Sequence, residues 1–106
     1  MNQQQFSESP DDFGGLVLFD FYTDWCEPCK LLDPILDEVK RRMGSNFFIH
    51  KINSDEHSDL AKRYHIKSVP TLMLFRNGKL LWRMAGFDTA DELEKIIRKH
   101  SESKEH

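Results

Sequence analysis

The sequence predicts an α/β domain in which a central mixed β-sheet is flanked by helices on both faces. Three observations lead there. Two apolar runs, LVLFDFY at 16–22 and FFIHKIN at 47–53, are separated by an amphipathic stretch that serves as a crossover helix. Two later runs, TLMLFR at 71–76 and KLLWRM at 79–84, are joined by Asn77-Gly78, the strongest short signal for an antiparallel hairpin. An amphipathic helical pattern closes the chain, so the order reads β-α-β-α-β-β-α.

Each element has a local reason. The first run is almost continuously apolar, as expected of a strand covered on both faces. The first helix is marked by Leu32, Ile35, Leu36, Val39 and Met43 at three- and four-residue spacing, and Gly44 supplies its C-terminal cap. Its start falls near Cys26, because Pro28 is tolerated only in a first turn. A shorter helix is expected from Ser54 or Asp55 to about Tyr64, burying Leu60, Ala61 and Tyr64. The last helix opens with TADE at 89–92, a capping box in which Thr89 and Glu92 can each satisfy a backbone group at the other's position. Leu93, Ile96 and Ile97 give it one apolar face. The domain is expected to span 16–100, after a short segment 1–15 and before a frayed tail, 101–106.

A chain of 106 residues buries a core without needing a disulfide or a metal as a staple. With 39% hydrophobic and 31% charged residues it has the composition of a water-soluble domain. No window reaches the roughly 18 apolar residues of a membrane span. The start MNQQQFSESPDD lacks the basic and apolar regions of a secretory signal, so the expected location is the cytoplasm. Fifteen basic against eighteen acidic side chains argue against a nucleic-acid partner held by phosphate contacts. The basic runs at 40–42 and 62–63 read as solvated helix faces.

Both cysteines fall in one stretch, WCEPCK at 25–30. In a reducing compartment a CxxC pair is redox-active or metal-binding more often than structural. A metal site would need two further ligands. There is no third cysteine to join the pair, so no metal is expected. Positions i and i+3 in the first turn of a helix lie on one face, at the roughly 5 to 6 Å separation that suits a disulfide. The unpaired amides and the positive end of the helix dipole favour a thiolate at Cys26, the form that attacks disulfides. Cys29, one turn further in and expected to be buried, holds its proton more tightly and acts second.

With these residues in place the chain resembles the thioredoxin family, from about Leu16 to His100. The centre of the resemblance is WCEPCK, similar to the family's Trp-Cys-Gly-Pro-Cys-Lys. Asp20 matches the family's buried aspartate, Lys51 the lysine beside it, and Pro34 the proline inside the active-site helix. SVPT at 68–71 matches the loop whose proline is cis, and Asn77-Gly78 and Gly86 match the hairpin and the glycine after it. The resemblance implies a thioredoxin-like fold and a thiol–disulfide oxidoreductase that reduces protein disulfides through Cys26 and Cys29. It implies that Asp20 accepts a proton from Cys29 and that Lys51 tunes that carboxylate. It also implies a docking rim of Trp25, Pro28, Val69, Pro70, Gly86 and Phe87, in which the Val69 backbone pairs with an extended substrate segment. No cofactor would be bound. Reducing equivalents would come from NADPH through a flavin-containing thioredoxin reductase, the partners being that enzyme and disulfide-containing proteins, and the chain acting as a monomer.

Several residues depart from the family pattern. Glu27 stands where the family has glycine, and its carboxylate beside Cys26 disfavours a thiolate there, which makes the couple more reducing. Tyr22 replaces a second tryptophan found in many members, and Phe87 replaces a small residue. His65 is expected in a left-handed cap conformation rather than as a ligand. The segment before Leu16 is shorter than the family's first strand and helix, which raises the question whether QQQF at 3–6 still forms an edge strand. Two other functions compete: an oxidase or isomerase running the same exchange in an oxidising compartment, and a binding module whose thiols are incidental. The presence of both cysteines and Asp20 argues against the module.

Overall fold

The structure is a computed structural model that describes residues 15–102. QQQF and all but the last residue of the segment 1–15 lie outside the described residues. The elements are β1 (Leu16–Tyr22), α1 (Glu27–Met43), β2 (Phe47–Asn53), α2 (Ser58–Arg63), β3 (Thr71–Arg76), β4 (Lys79–Ala85) and α3 (Ala90–Glu102). The four strands form one mixed sheet in the order β2-β1-β3-β4. β1 runs parallel to β2 and antiparallel to β3, and β3 is antiparallel to β4. The α1 crossover makes the first relation, and the hairpin at Asn77 and Gly78, both at positive φ, makes the last.

Strand alternation sorts the core into two layers. Leu16 and Leu18 of β1 pack with Leu72 and Leu74 of β3 beneath Leu32, Leu36 and Val39 of α1 and Leu93 and Ile97 of α3. Val17, Phe19 and Phe21 face the other way, with Met73 and Phe75, towards Leu60 of α2 and Tyr64. β1 is therefore buried on both faces, which is why its sequence shows an apolar run rather than alternation. Asp20 has the same parity as Leu16 and Leu18, so it faces the α1 layer, at 1% exposure.

Some boundaries differ from the sequence expectation. α2 begins at Ser58, not at Ser54 or Asp55. The Asn53 side chain accepts the Asp55 and Glu56 amides, at 2.9 and 3.4 Å, and this local turn replaces the first helical turn. In the capping box, Thr89 Oγ1 accepts the Glu92 amide at 3.1 Å, but the Thr89 amide is taken by Asp88 and the Glu92 carboxylate pairs with Lys95. Only half of the expected box forms. α3 reaches Glu102, two residues into the stretch expected to fray, because Arg76 donates to the Ser101 carbonyl at 2.7 Å and satisfies a group that a helix end leaves free. His65 adopts the left-handed conformation, at φ 55°. The guanidinium of Arg83 donates to the Tyr64 and His65 carbonyls beside it, tying the end of α2 to β4.

Candidate functional site

Cys26 is the N-cap of α1, in an extended conformation, with Pro28 in the first turn as the sequence requires. Its sulfur accepts the Cys29 amide at 3.1 Å, taking the place that a serine or aspartate oxygen holds at other helix starts. Cys26 and Cys29 are joined by a disulfide, with their Cα atoms 5.3 Å apart. Burial does not distinguish them, since Cys26 is 3% and Cys29 4% exposed. The asymmetry between them comes from the helix terminus: the sulfur of Cys26 receives the free amide, and that of Cys29 does not.

A second loop closes over the pair. The Val69–Pro70 bond is cis, and the Val69 carbonyl oxygen lies 3.6 Å from the Cys26 sulfur. The Thr71 hydroxyl donates to the Ser68 carbonyl at 2.7 Å and holds this loop against the start of β3. The Gly86 amide donates to the Pro70 carbonyl at 2.8 Å, bringing in the turn after β4. Gly86 sits at φ +100°, which is why a residue without Cβ stands there. The start of α1, the Val69–Pro70 loop and the turn at Gly86 are thus linked in series, Cys26 to Val69 and Pro70 to Gly86. The half-buried ring of Phe87 packs on the α1–α3 core.

Trp25 is 68% exposed, yet its indole N–H donates to Asp55 Oδ2 at 3.0 Å. Asp55 has no counterpart among the sequence-derived site residues. The Asn53 side chain that displaced the start of α2 also sets this carboxylate, through the Asp55 amide. Glu27 points along the outside of α1 and pairs with Lys30 at 3.4 Å, both largely exposed. Its effect on the neighbouring sulfur is therefore screened. Glu27→Gly should raise the redox potential of the couple by only on the order of 10 mV. Equilibration of the variant with glutathione measures this, and an unchanged or lower potential would show that Glu27 has no reducing influence.

Beneath α1, Asp20 stands beside Lys51 in the β1–β2 register. The two do not form an ion pair. Lys51 Nζ instead bonds Asp33 Oδ1 of α1 at 2.6 Å and lies over the Tyr22 ring, 5.2 Å from its centroid. Asp20 Oδ1 is buried with no hydrogen-bond partner. Burial pushes the Asp20 carboxyl up to about 7, with the Lys51 charge opposing and the Asp33 charge adding to the rise. Lys51 is itself raised: burial lowers it, but the Asp33 bond and the surrounding negative groups outweigh that. Asp33 is the second residue that the sequence reading missed.

Among the described residues no group of three or more His, Cys, Asp and Glu is placed to hold a metal ion, and no helix is long and apolar enough to cross a membrane. The Thioredoxin family model matches residues 1–99. The chain belongs to the thioredoxin family. It is 42% identical over 87 residues to a thioredoxin of Chlamydia caviae, covering 82% of this chain and 84% of that one. It is 36% identical over 97 residues to the thioredoxin of Bacillus subtilis, covering 92% and 91%. Among solved structures, a mutant thioredoxin from Halobacterium salinarum superposes with a TM-score of 0.80 at 33% identity, over 95% of this chain and 90% of that chain. As a thioredoxin-family member with the redox-active pair in place, the chain is a thiol–disulfide oxidoreductase that reduces protein disulfides by reversible oxidation of Cys26 and Cys29. Neither an incidental thiol pair nor the reverse, oxidising function finds support in these relatives.

Proposed function

We propose that Cys26 is the attacking nucleophile and Cys29 the resolving thiol, with Asp20 as its proton acceptor. The Cys26 sulfur at the α1 N-terminus supports this order. In the reduced protein the same amide and the helix dipole favour Cys26 as the thiolate. The thiolate attacks one sulfur of a substrate disulfide, forming a mixed disulfide and releasing the other substrate sulfur as a thiolate. Cys29 then gives its proton to the Asp20 carboxylate and attacks the Cys26 sulfur. The Cys26–Cys29 bond forms, the mixed bond breaks, and the second substrate sulfur leaves as a thiolate. Two electrons have passed from the dithiol to the substrate.

Trp25, Pro28, Val69, Pro70, Gly86 and part of Phe87 form the docking rim. An extended substrate segment laid beside Cys26 pairs with the Val69 backbone, whose carbonyl lies against the Cys26 sulfur. The chain binds no cofactor itself and acts as a cytoplasmic monomer. It is recharged by a flavin-containing thioredoxin reductase that draws on NADPH. Insulin, the protein, NADPH and a bacterial thioredoxin reductase, combined in one assay, test the direction and the source of electrons together. NADPH consumption that requires all four is the expected result. Consumption that does not depend on this chain would refute the proposed route.

A further inference from the structure

The α1 layer holds a carboxylate that the exchange chemistry does not use. Asp33 lies one turn beyond Cys29 and next to Pro34, and with Lys51, Leu36, Asp37, Lys40 and Ile49 it lines a cavity of about 200 Å³ between α1 and β2. Its side chain and that of Lys51 are each about half exposed, whereas Asp20 is buried on the same face of the sheet. Lys51 is the cationic neighbour of Asp20 in the strand register, yet its hydrogen bond goes to Asp33.

We propose that Asp33 is a positioning residue, which holds the Lys51 ammonium at the solvent side of the cavity and leaves the buried Asp20 carboxyl without a cationic hydrogen-bond partner. An ammonium bonded directly to Asp20 would fix it as a carboxylate and make it a weak acceptor for the Cys29 proton. Held by Asp33, Lys51 acts on Asp20 only through space, and the negative charge of Asp33 opposes that action. The other groups around Asp20 leave this pair dominant. On β1 the nearest titratable side chain is Tyr22, whose ring already faces Lys51. β3 places Leu72 opposite Asp20, and α3 contributes Leu93 and Ile97 to this layer. On α1, the Lys40 ammonium is engaged by the Gly44 and Phe47 carbonyls, Asp37 is exposed further along the helix, and the cysteine pair lies at its start.

This inference rests on the reading of Asp20 as proton acceptor, and two measurements keep the two apart. The first follows the Asp20 carboxyl carbon by NMR through a pH titration of the oxidised protein. Asp33→Asn should shift its midpoint down by about one pH unit. Asp33→Ser should do the same, and Asp33→Glu should restore it. In a Lys51→Met background the shift caused by Asp33→Asn should shrink to less than half, because the ammonium that Asp33 positions is gone. An unmoved midpoint in Asp33→Asn and Asp33→Ser, or an equal shift with and without Lys51, overturns the proposal. The second measurement is the pH profile of mixed-disulfide resolution in a single turnover. Its acid limb should move down in Asp33→Asn in step with the NMR midpoint. If Asp20→Asn leaves that limb unchanged, the acceptor reading of Asp20 fails, whatever the NMR titration gives.

Discussion

Cys26→Ser should reduce the catalysed reduction of insulin disulfides to the uncatalysed rate, a fall on the order of 10⁴-fold or more. A serine hydroxyl at the α1 N-terminus still accepts the Cys29 amide and preserves the cap, so the fold should survive. It supplies no thiolate, and without one no mixed disulfide forms. Cys29→Ser should behave differently. Cys26 can still attack, but nothing resolves the product, so a covalent adduct with the substrate should accumulate and be visible by mass spectrometry without reductant. Turnover would then fall to the rate at which external thiol releases the adduct. The reverse pattern, with adducts on Cys29 in Cys26→Ser, would exchange the two roles and overturn the reading of the helix terminus.

Asp20→Asn should have opposite effects on stability and on activity. The carboxyl titrates at about 7 in the folded protein against 3.8 as the reference for an exposed aspartate. Between those values the folded chain holds a proton that the unfolded chain has lost. Folding stability is therefore favoured at and below about pH 4, declines as pH rises towards 7, and is level beyond it. The decline attributable to this one group is about 4 kcal/mol as an order of magnitude. Asparagine carries no charge to desolvate. The variant should therefore be more stable than the parent at pH 8, and its stability should vary much less between pH 4 and 7. Urea unfolding of the oxidised protein at several pH values measures both. Equal stabilities at pH 8 would mean that Asp20 is not a costly buried carboxylate. The resolving step should meanwhile slow about 10²-fold near pH 7. This deficit should close as pH rises, because solvent base then removes the Cys29 proton directly. An acid placed where it destabilises the fold at working pH is the pattern expected of a residue retained for chemistry.

Much of this was readable in the sequence because the responsible forces are local. The apolar run around Asp20, the three- and four-residue spacing from Leu32 to Met43, and the Asn77-Gly78 turn each specify an element through their own residues. From those elements follow the order of the chain and the place of WCEPCK at the mouth of α1. Where side chains compete for backbone groups, the reading failed. Asn53 captures two amides and delays α2, and Asp88 takes the amide that Glu92 was expected to satisfy. No periodicity reports such captures, because several residues could make each bond and only the folded geometry selects one.

Local residue patterns are enough to specify the architecture, the redox pair and the odd position of an acid inside an apolar strand. Tertiary structure alone decided which charges act on that acid and which carboxylate holds the exposed tryptophan. Trp25 finds Asp55 thirty residues away, and Lys51 finds Asp33 eighteen residues away rather than its register neighbour Asp20. The physical reason is range. Backbone preference and amphipathic period act within a few residues, whereas an ion pair or a desolvation cost depends on distances that exist only once strands and helices have packed.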